Sequence, residues 1–384
     1  MPIRSKLNNF LKRFERKFQT LNLIEISRSN LLHNYDLFSS LLPGYSIFPV
    51  LKANAYGHGI AQITEILKER QPDYFIVDGY FEALRVWEIS KQPVLLIGYV
   101  HPSNLKDLDF HNLALTVYDM ETIKELERLG RKVRIHLKID TGMNRQGIEN
   151  KDIPHFIKEI NKAQNLELEG VLSHLADADS TDNSYTQKQL EYYRKAHKIV
   201  EEMSGEIRHS HLSASAGAIK TKDPTTNSVR IGMGLYGINP YEPKDPFYKK
   251  LEDLKPVLTL KSTIIHTKEI KKGDAVSYNC TFKAKRKTRI GLLPLGYYEG
   301  IPRNLSNKGF VRWEKKYLPI IGRVCMNLTI VDLTDTAAKK FDKITVVSPV
   351  ASDKNSIQSI ANQSATIPDD IFVHLNENIR RAIS

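Results

Sequence analysis

The chain is poor in cysteine. Only two occur in 384 residues, Cys280 and Cys325, too few for a disulfide framework or a structural zinc site. Two reduced thiols in a cytoplasmic protein are the expectation. No apolar run reaches the length needed to cross a bilayer, so no membrane-spanning helix is expected. The opening MPIRSKLNNFLKRFERKFQT has neither a secretory apolar core nor a small-residue cleavage site, which argues against export. Acidic residues are the minority, 44 against 56 Lys and Arg, for a formal charge of +12. That balance suits phosphate-rich partners, yet the bases alternate with acids along most of the chain and no nucleic-acid motif occurs, so nucleic acid is not an expected partner. The densest basic run, Lys283 to Arg289, lies between two strand-like segments and reads as a solvated hairpin. There is no internal repeat and no low-complexity tract.

What is present is an ordinary globular composition, 41% hydrophobic and 26% charged, in a chain long enough for a large domain and a smaller one. Within residues 1–20 the positions Leu7, Phe10, Leu11, Phe14 and Phe18 follow helical spacing and predict an amphipathic helix. Such a helix is expected to pack on its own protein, because so few apolar residues anchor weakly to lipid without a second signal. From Leu21 to Leu251 short apolar runs alternate with helical patterns. The runs start at Tyr45, Tyr74, Val94, Leu113, Val133, Leu168, His209 and Val229, and this repetition predicts a closed (β/α)₈ TIM-like barrel. Past the proline-rich stretch from Pro240 to Pro246 the pattern changes. Strand-like runs at Val257 to Thr267, Arg289 to Leu293, Tyr317 to Ile321, Leu328 to Leu333 and Lys343 to Val347 follow one another without helices between them, which predicts a mostly-β domain over 252–384.

Parallel barrels display their chemistry at the carboxyl ends of the strands. The first run, YSIFPVL, ends in Lys52 and turns through ANAYGHG. An amine held at the end of an apolar strand loses hydration, which favours its neutral, nucleophilic form, so Lys52 is a Schiff-base candidate. The fifth run, IHLKIDTGMNRQGI, puts Lys138, Asp140 and Arg145 at or beyond its end; the sixth ends in SHLADAD with His174 at its tip. The eighth, VRIGMGLYGINP, carries Arg230 and a Gly-rich turn that would let backbone N–H groups approach a phosphate.

KANAYGHG after an apolar strand closely resembles the segment that attaches pyridoxal 5'-phosphate (PLP) in the alanine racemase family, the fold-type III PLP enzymes. The resemblance implies that Lys52 holds PLP and moves the substrate α-proton, and that Tyr56 touches the cofactor phosphate. It makes Arg145 the residue that steadies the cofactor ring oxygen and the substrate carboxylate, a role suited to a planar guanidinium fork. Lys138 matches a lysine often carbamylated to hold that arginine. His174 becomes the ring stacked on the pyridine, Ser215 of HLSASAGAI a phosphate ligand with Gly232 and Met233, and Arg230 the partner of the pyridine nitrogen. Racemisation needs proton carriers on both faces of a planar carbon; in DAVSYNCTF, Tyr278 matches the family's catalytic tyrosine, which comes from a second subunit and so implies a homodimer with shared sites. GRVCMN places Met326 at a substrate-contacting position. The implied activity is two-base interconversion of L- and D-alanine, supplying D-alanine for peptidoglycan, with no metal. Three departures stand out: Ala214 replaces the Asn of the family's Asn-Ser pair, Asn327 replaces an aspartate, and Asp369 replaces a tyrosine. They leave open a racemase of serine, lysine or a broader set. A PLP decarboxylase and a non-catalytic PLP-binding protein are the remaining alternatives.

Overall fold

The computed structural model describes residues 19–384, so the amphipathic helix expected over residues 1–20 lies outside the described residues except for its last two. The described chain divides into two units: Ile26–Leu258 with Ile383–Ser384, and Thr259–Ala382 with the residues up to Glu25.

The first unit is built on eight parallel strands, β1 (Ser46–Pro49), β2 (Phe75–Val77), β3 (Val94–Leu96), β4 (Leu113–Val117), β5 (Val133–Lys138), β6 (Leu166–Leu172), β7 (His209–His211) and β8 (Ser228–Ile231). These are the eight runs read from the sequence, with most ends trimmed or shifted by one or a few residues and two strands starting earlier, at Leu166 and Ser228. Their near-continuous apolar character follows from burial on both faces, as in β4, where every residue of LALTV is buried. Consecutive strands from β2 to β8 pair in order, and β8 returns to β1 in the register Ser46↔Ser228 to Pro49↔Ile231. The seam between β1 and β2 is held by one parallel bridge, Val50↔Ile76, with Leu51 N donating to Ile76 O at 2.7 Å. That single bridge closes the ring just before Lys52.

The intervening helices form where sequence supplies caps and an apolar stripe. In Met120–Leu129, Asp119 accepts from Thr122 N at the start, Ile123 and Leu126 are buried one turn apart, and Gly130 ends the helix at φ 65°. The barrel interior is less typical. Aliphatic side chains usually fill such a core, but here Phe48, Tyr74, His136, Glu169, His209, His211 and Arg230 are all buried. Phe48 packs edge-on against Tyr74, His209 and His211, with ring centroids 5.6, 5.3 and 5.5 Å apart.

The second unit is mostly β. A six-stranded sheet runs in the order Lys316–Pro319, Phe310–Trp313, Lys343–Val347, Leu258–Thr263, Leu23–Ile26, Arg380–Ile383, and a three-stranded sheet joins His266–Ile270, Thr288–Leu293 and Thr329–Asp332. The expected strand Val257 to Thr267 is therefore two. Lys261, Ser262 and Thr263 pair with Lys343–Val347, whereas His266–Ile270 pairs with Thr288–Leu293, so the chain changes sheets at Ile264 and Ile265. Two helices, Ile357–Ser364 and Pro368–Val373, complete this unit.

Removing the central barrel ring should be costly. Phe48→Ala is expected to lower unfolding stability by about 3–5 kcal/mol, the usual range for deleting a buried aromatic side chain, read from the urea midpoint of far-UV circular dichroism. A shift of under about 1 kcal/mol would mean that the interior repacks around the gap.

Candidate active site

Lys52 opens a turn of unusual hand. Ala53, Asn54, Ala55 and Tyr56 have φ of 52°, 53°, 53° and 51°, four consecutive left-handed residues. L-residues resist this conformation by about 1–2 kcal/mol each, chiefly through crowding at Cβ, and asparagine tolerates it best. The small side chains of Ala-Asn-Ala reduce that crowding. Hydrogen bonds offset the remainder: Gly57 N donates to Ala53 O (2.9 Å), Gly59 N to Asn54 O (2.9 Å), Ile60 N to Asn54 Oδ1 (2.8 Å) and Asn54 N to Glu82 Oε1 (3.2 Å). The other oxygen of Glu82 accepts from Asp78 N and Gly79 N, so the loop after β2 braces the loop after β1.

The same turn delivers Tyr56 to the end of β8. Its ring lies 5.1 Å from that of Tyr236, and a Cβ on Gly232 would come within 2.7 Å of its hydroxyl. Glycine is thus required at 232 for this approach. Gly234 N donates to Ser215 Oγ at 3.1 Å, and Tyr236 Oη donates to Val50 O at 2.8 Å. Tyr56, Ser215 and the turn Gly232-Met233-Gly234 therefore converge. Two helical first turns, at Ser215–Lys220 and Met233–Tyr236, bring N–H groups that lack intrahelical acceptors.

Beside this cradle stands a group of cations. Arg230 is buried and makes only neutral contacts: Nη1 donates to His211 Nδ1 (2.7 Å) and His211 O (2.8 Å), and Nη2 to Ser173 O (2.6 Å), Leu212 O (2.9 Å) and His174 Nδ1 (3.0 Å). Burial lowers its pKa to about 10, which still leaves it charged at neutral pH. His174 is pushed well below its ordinary value by burial and then by Arg230, Arg145, Lys138 and Lys52, so its ring is neutral. Lys138, also buried, is lowered to about 8 by desolvation and by Arg230, Arg145 and Lys52, against the smaller pull of Asp78. Its ammonium donates to Gln146 Oε1 at 2.8 Å, and Gln146 Nε2 donates to Tyr118 Oη at 3.0 Å. Arg145 is exposed on a loop that returns to its own strand, with Ile148 N donating to Lys138 O (3.0 Å) and Asp140 N to Ile148 O (2.9 Å). Asp140 stiffens this loop by accepting from Gly142 N and Asn144 N.

The structure thus collects Lys52, Tyr56, Lys138, Arg145, His174, Ser215, Arg230, Gly232 and Met233 at the carboxyl ends of the barrel strands. The set carries four cationic side chains, Lys52, Lys138, Arg145 and Arg230, around His174. It fits an anionic cofactor whose phosphate takes the Tyr56, Ser215 and Gly232 cradle, and an amino acid carboxylate at Arg145. Gln146 and Tyr118, which position Lys138, were missed from sequence because an uncharged amide and a lone tyrosine carry no motif.

Tyr278 and Met326 belong to the other unit. There Ser277 (φ 62°), Asn279 (φ 61°) and Cys280 (φ 49°) bend the chain around Tyr278, whose ring is 67% exposed. Ser277 Oγ donates to Arg323 O at 2.7 Å and lies 3.3 Å from Cys325 Sγ, which ties this turn to the segment carrying Met326, 56% exposed. Asn307 clamps the pair, donating to Thr281 Oγ1 and accepting from Gly322 N. Asn327 Nδ2 donates to Glu299 Oε1 at 2.8 Å. Asp369 is half-buried in the first turn of Pro368–Val373.

Comparison with known proteins agrees over nearly the whole chain. The family models for the alanine racemase N-terminal and C-terminal domains match residues 26–240 and 257–383. Alanine racemase 2 of Caldanaerobacter subterraneus subsp. tengcongensis is 32% identical over 366 residues, 93% of each chain. The solved alanine racemase of Clostridium difficile 630 superposes with a TM-score of 0.88 at 29% identity, covering 96% of this chain and 97% of the other. That of Bartonella henselae, described with covalently bound pyridoxal phosphate, has a TM-score of 0.82 at 26% identity and covers 95% and 100%. No described helix is long and apolar enough to cross a membrane. With the barrel and the β-rich unit both matched by these family models and relatives, the chain belongs to the alanine racemase family.

Proposed function

We propose that this chain interconverts L- and D-alanine with PLP attached to Lys52. The observation that carries the reading is the set of four cations, Lys52, Lys138, Arg145 and Arg230, acting together on His174 beside a glycine-built anion cradle. Tyr56, Ser215, Gly232 and Met233 would hold the phosphate, with His174 beside the ring and Arg230 toward its nitrogen. PLP, when bound, withdraws electrons from the substrate and acidifies its Cα–H.

The remaining work belongs to the side chains. Arg145 receives the substrate carboxylate in its planar fork and fixes which bond is presented. Lys52 Nζ takes or returns the proton on one face of Cα, and the Tyr278 hydroxyl does so on the other. Arg230 keeps its proton at neutral pH, so a hydrogen bond from it to the ring nitrogen would leave that nitrogen unprotonated, which would moderate electron withdrawal and favour simple reprotonation of Cα. Tyr278 comes from the partner in a homodimer. Support for that reading lies in the exposed Tyr278, Tyr297, Tyr298, Met326 and Leu328 of the second unit, an apolar surface that a second copy would cover. The product D-alanine serves peptidoglycan synthesis.

A racemase of broader range is the second reading, favoured by Asn327. Its amide is held by Glu299, so a neutral side chain stands where the family has an anion. Relative turnover on alanine, serine and lysine separates the two.

Tyr278→Phe is expected to retain bound PLP, seen by its visible absorbance, while turnover falls by roughly 10²–10⁴-fold in at least one direction, the usual contribution of a proton-transferring side chain. Undiminished turnover both ways, followed by polarimetry with α-deuterium exchange, would remove Tyr278 from the reaction. Lys138 gives a second test. With its pKa at about 8 the amine is half neutral near that pH, and the neutral fraction rises as pH increases, whereas an ordinary lysine stays protonated until beyond pH 10. A carbamate at Lys138 should therefore appear in the ¹³C spectrum with labelled bicarbonate at pH 8 and vanish in Lys138→Arg. The same resonance surviving that substitution would assign it elsewhere.

A further inference from the structure

The barrel core holds titratable groups that the proposed reaction leaves unused, Tyr74 just before β2, His136 on β5, Glu169 on β6, and His209 and His211 on β7, flanked by half-buried Arg134 on β5 and exposed Arg208 just before β7. Their geometry is directional. A guanidinium only donates, so the Arg230 Nη1 contact to His211 Nδ1 at 2.7 Å forces that nitrogen to accept. The ring proton of neutral His211 must then sit on Nε2, which lies 2.8 Å from His136 Nδ1 and donates to it. His136 is in turn protonated on Nε2. That nitrogen faces Glu169 Oε2 at 3.6 Å, an ion-dipole approach rather than a hydrogen bond.

Glu169 is held in place by its own donors. Tyr74 Oη donates to Oε2, Arg208 Nη1 donates to Oε1 at 3.2 Å, and Arg134 Nη1 stands 4.0 Å away. Tyr74 also packs edge-on against His136 and His209, at 5.4 and 5.7 Å. His209 lies parallel to His136 at 6.0 Å and reaches Ser228 Oγ, outside the chain of donors.

We propose that Arg230, His211, His136 and Glu169 form one oriented chain through the barrel, in which Arg230 sets the direction of both imidazoles and Glu169, at the far end, is a positioning residue that stabilises that orientation and thereby the pose of the Arg230 guanidinium. The inference rests on the proposed role of Arg230 at the ring nitrogen. Its electrostatics are consistent. Burial lowers the pKa of His136 and, more strongly, of His211, where Arg230, His136, His209 and Lys138 add to the effect, so both rings are neutral. Burial works to raise Glu169, but the neighbouring His136 ring, the Tyr74 hydroxyl and Arg134 bring it down to about 2. A cation at one end and an anion at the other polarise every dipole between them in the same sense. Without the anion, the His136 Nε2–H would face no negative charge, and the orientation of both rings would rest on the Arg230 end alone.

Neutron diffraction on the deuterated holoenzyme tests the chain directly. Deuterons are expected on Nε2 of His211 and His136 and absent from both Nδ1 atoms; a deuteron on either Nδ1 overturns the proposal, whether or not the protein racemises alanine. The Glu169→Gln enzyme is expected to keep its cofactor and lose about 10–100-fold in kcat, the range found when outer-shell partners are removed. Its KM for alanine should stay within about twofold, because Arg145 is untouched, and the visible maximum of the bound cofactor should shift. Glu169→Asp should recover part of the loss. An unchanged kcat and spectrum in Glu169→Gln would sink the positioning role, while wild-type protein with the expected deuterons and no turnover would sink the proposed function instead.

Discussion

A buried guanidinium with no carboxylate in contact is the constraint on which the barrel turns. Arg230 sits in the interior, and its hydrogen bonds end on two imidazoles and three carbonyl oxygens. A charge in that position is expensive unless every donor is satisfied. The ends of β6 and β7 supply those acceptors, which is why Ser173, His174, His211 and Leu212 must lie where they do. The requirement reaches down the barrel, replacing the aliphatic layers usual in this fold with a polar column that has to be oriented as well as packed.

The second demand is local. Lys52 could end β1 and run into an ordinary right-handed helix, but the chain instead makes four left-handed residues before Gly57. Strain of this size persists only where surrounding contacts over-determine it. Glu82, Asn54 and the Gly57-His58-Gly59 backbone provide them. The result is that Lys52 and Tyr56, four residues apart, are set by one rigid turn, with Tyr56 beside Gly232. The turn spends stability on placement, since backbone hydrogen bonds that would only support a helix here hold two functional groups in register.

Much of this was legible in the sequence because it is local. Each barrel strand is a short apolar run, and its functional residue follows within a few positions, so Lys52, Lys138, His174 and Arg230 could be found by reading to the end of a run. The fold was harder where pairing is distant. Leu23–Ile26 and Arg380–Ile383 are neighbours in one sheet although they lie at opposite ends of the chain, and no pattern in either segment says so. The change of sheets at Ile264 and Ile265 was hidden for a different reason: both residues are apolar, so the run looks continuous. The donor chain was half visible. His136 in VRIHLK and the alternating HSH of β7 put imidazoles on the inward face of period-two strands, but an isolated histidine on such a face reads as core until its partner across the barrel is seen.

The departures from the family pattern acquire a physical meaning in this setting. Ser27, Asp119 and Ser356 each cap a helix by accepting from the backbone N–H three residues on, satisfying a donor that would otherwise be unpaired. Ala214, at the same position before Ser215–Lys220, has no side-chain acceptor, and neither has Gly232 before Met233–Tyr236. Losing a capping side chain costs about 0.5–2 kcal/mol. Ser215 Oγ already accepts from Gly234 N at the second of these turns, and an anion placed at the first-turn donors that remain would meet the need that a capping side chain meets elsewhere. Ala214 therefore shifts part of the burden of stabilising the turn from the protein to its ligand, which couples the order of this loop to occupancy of the cradle more tightly than an asparagine would.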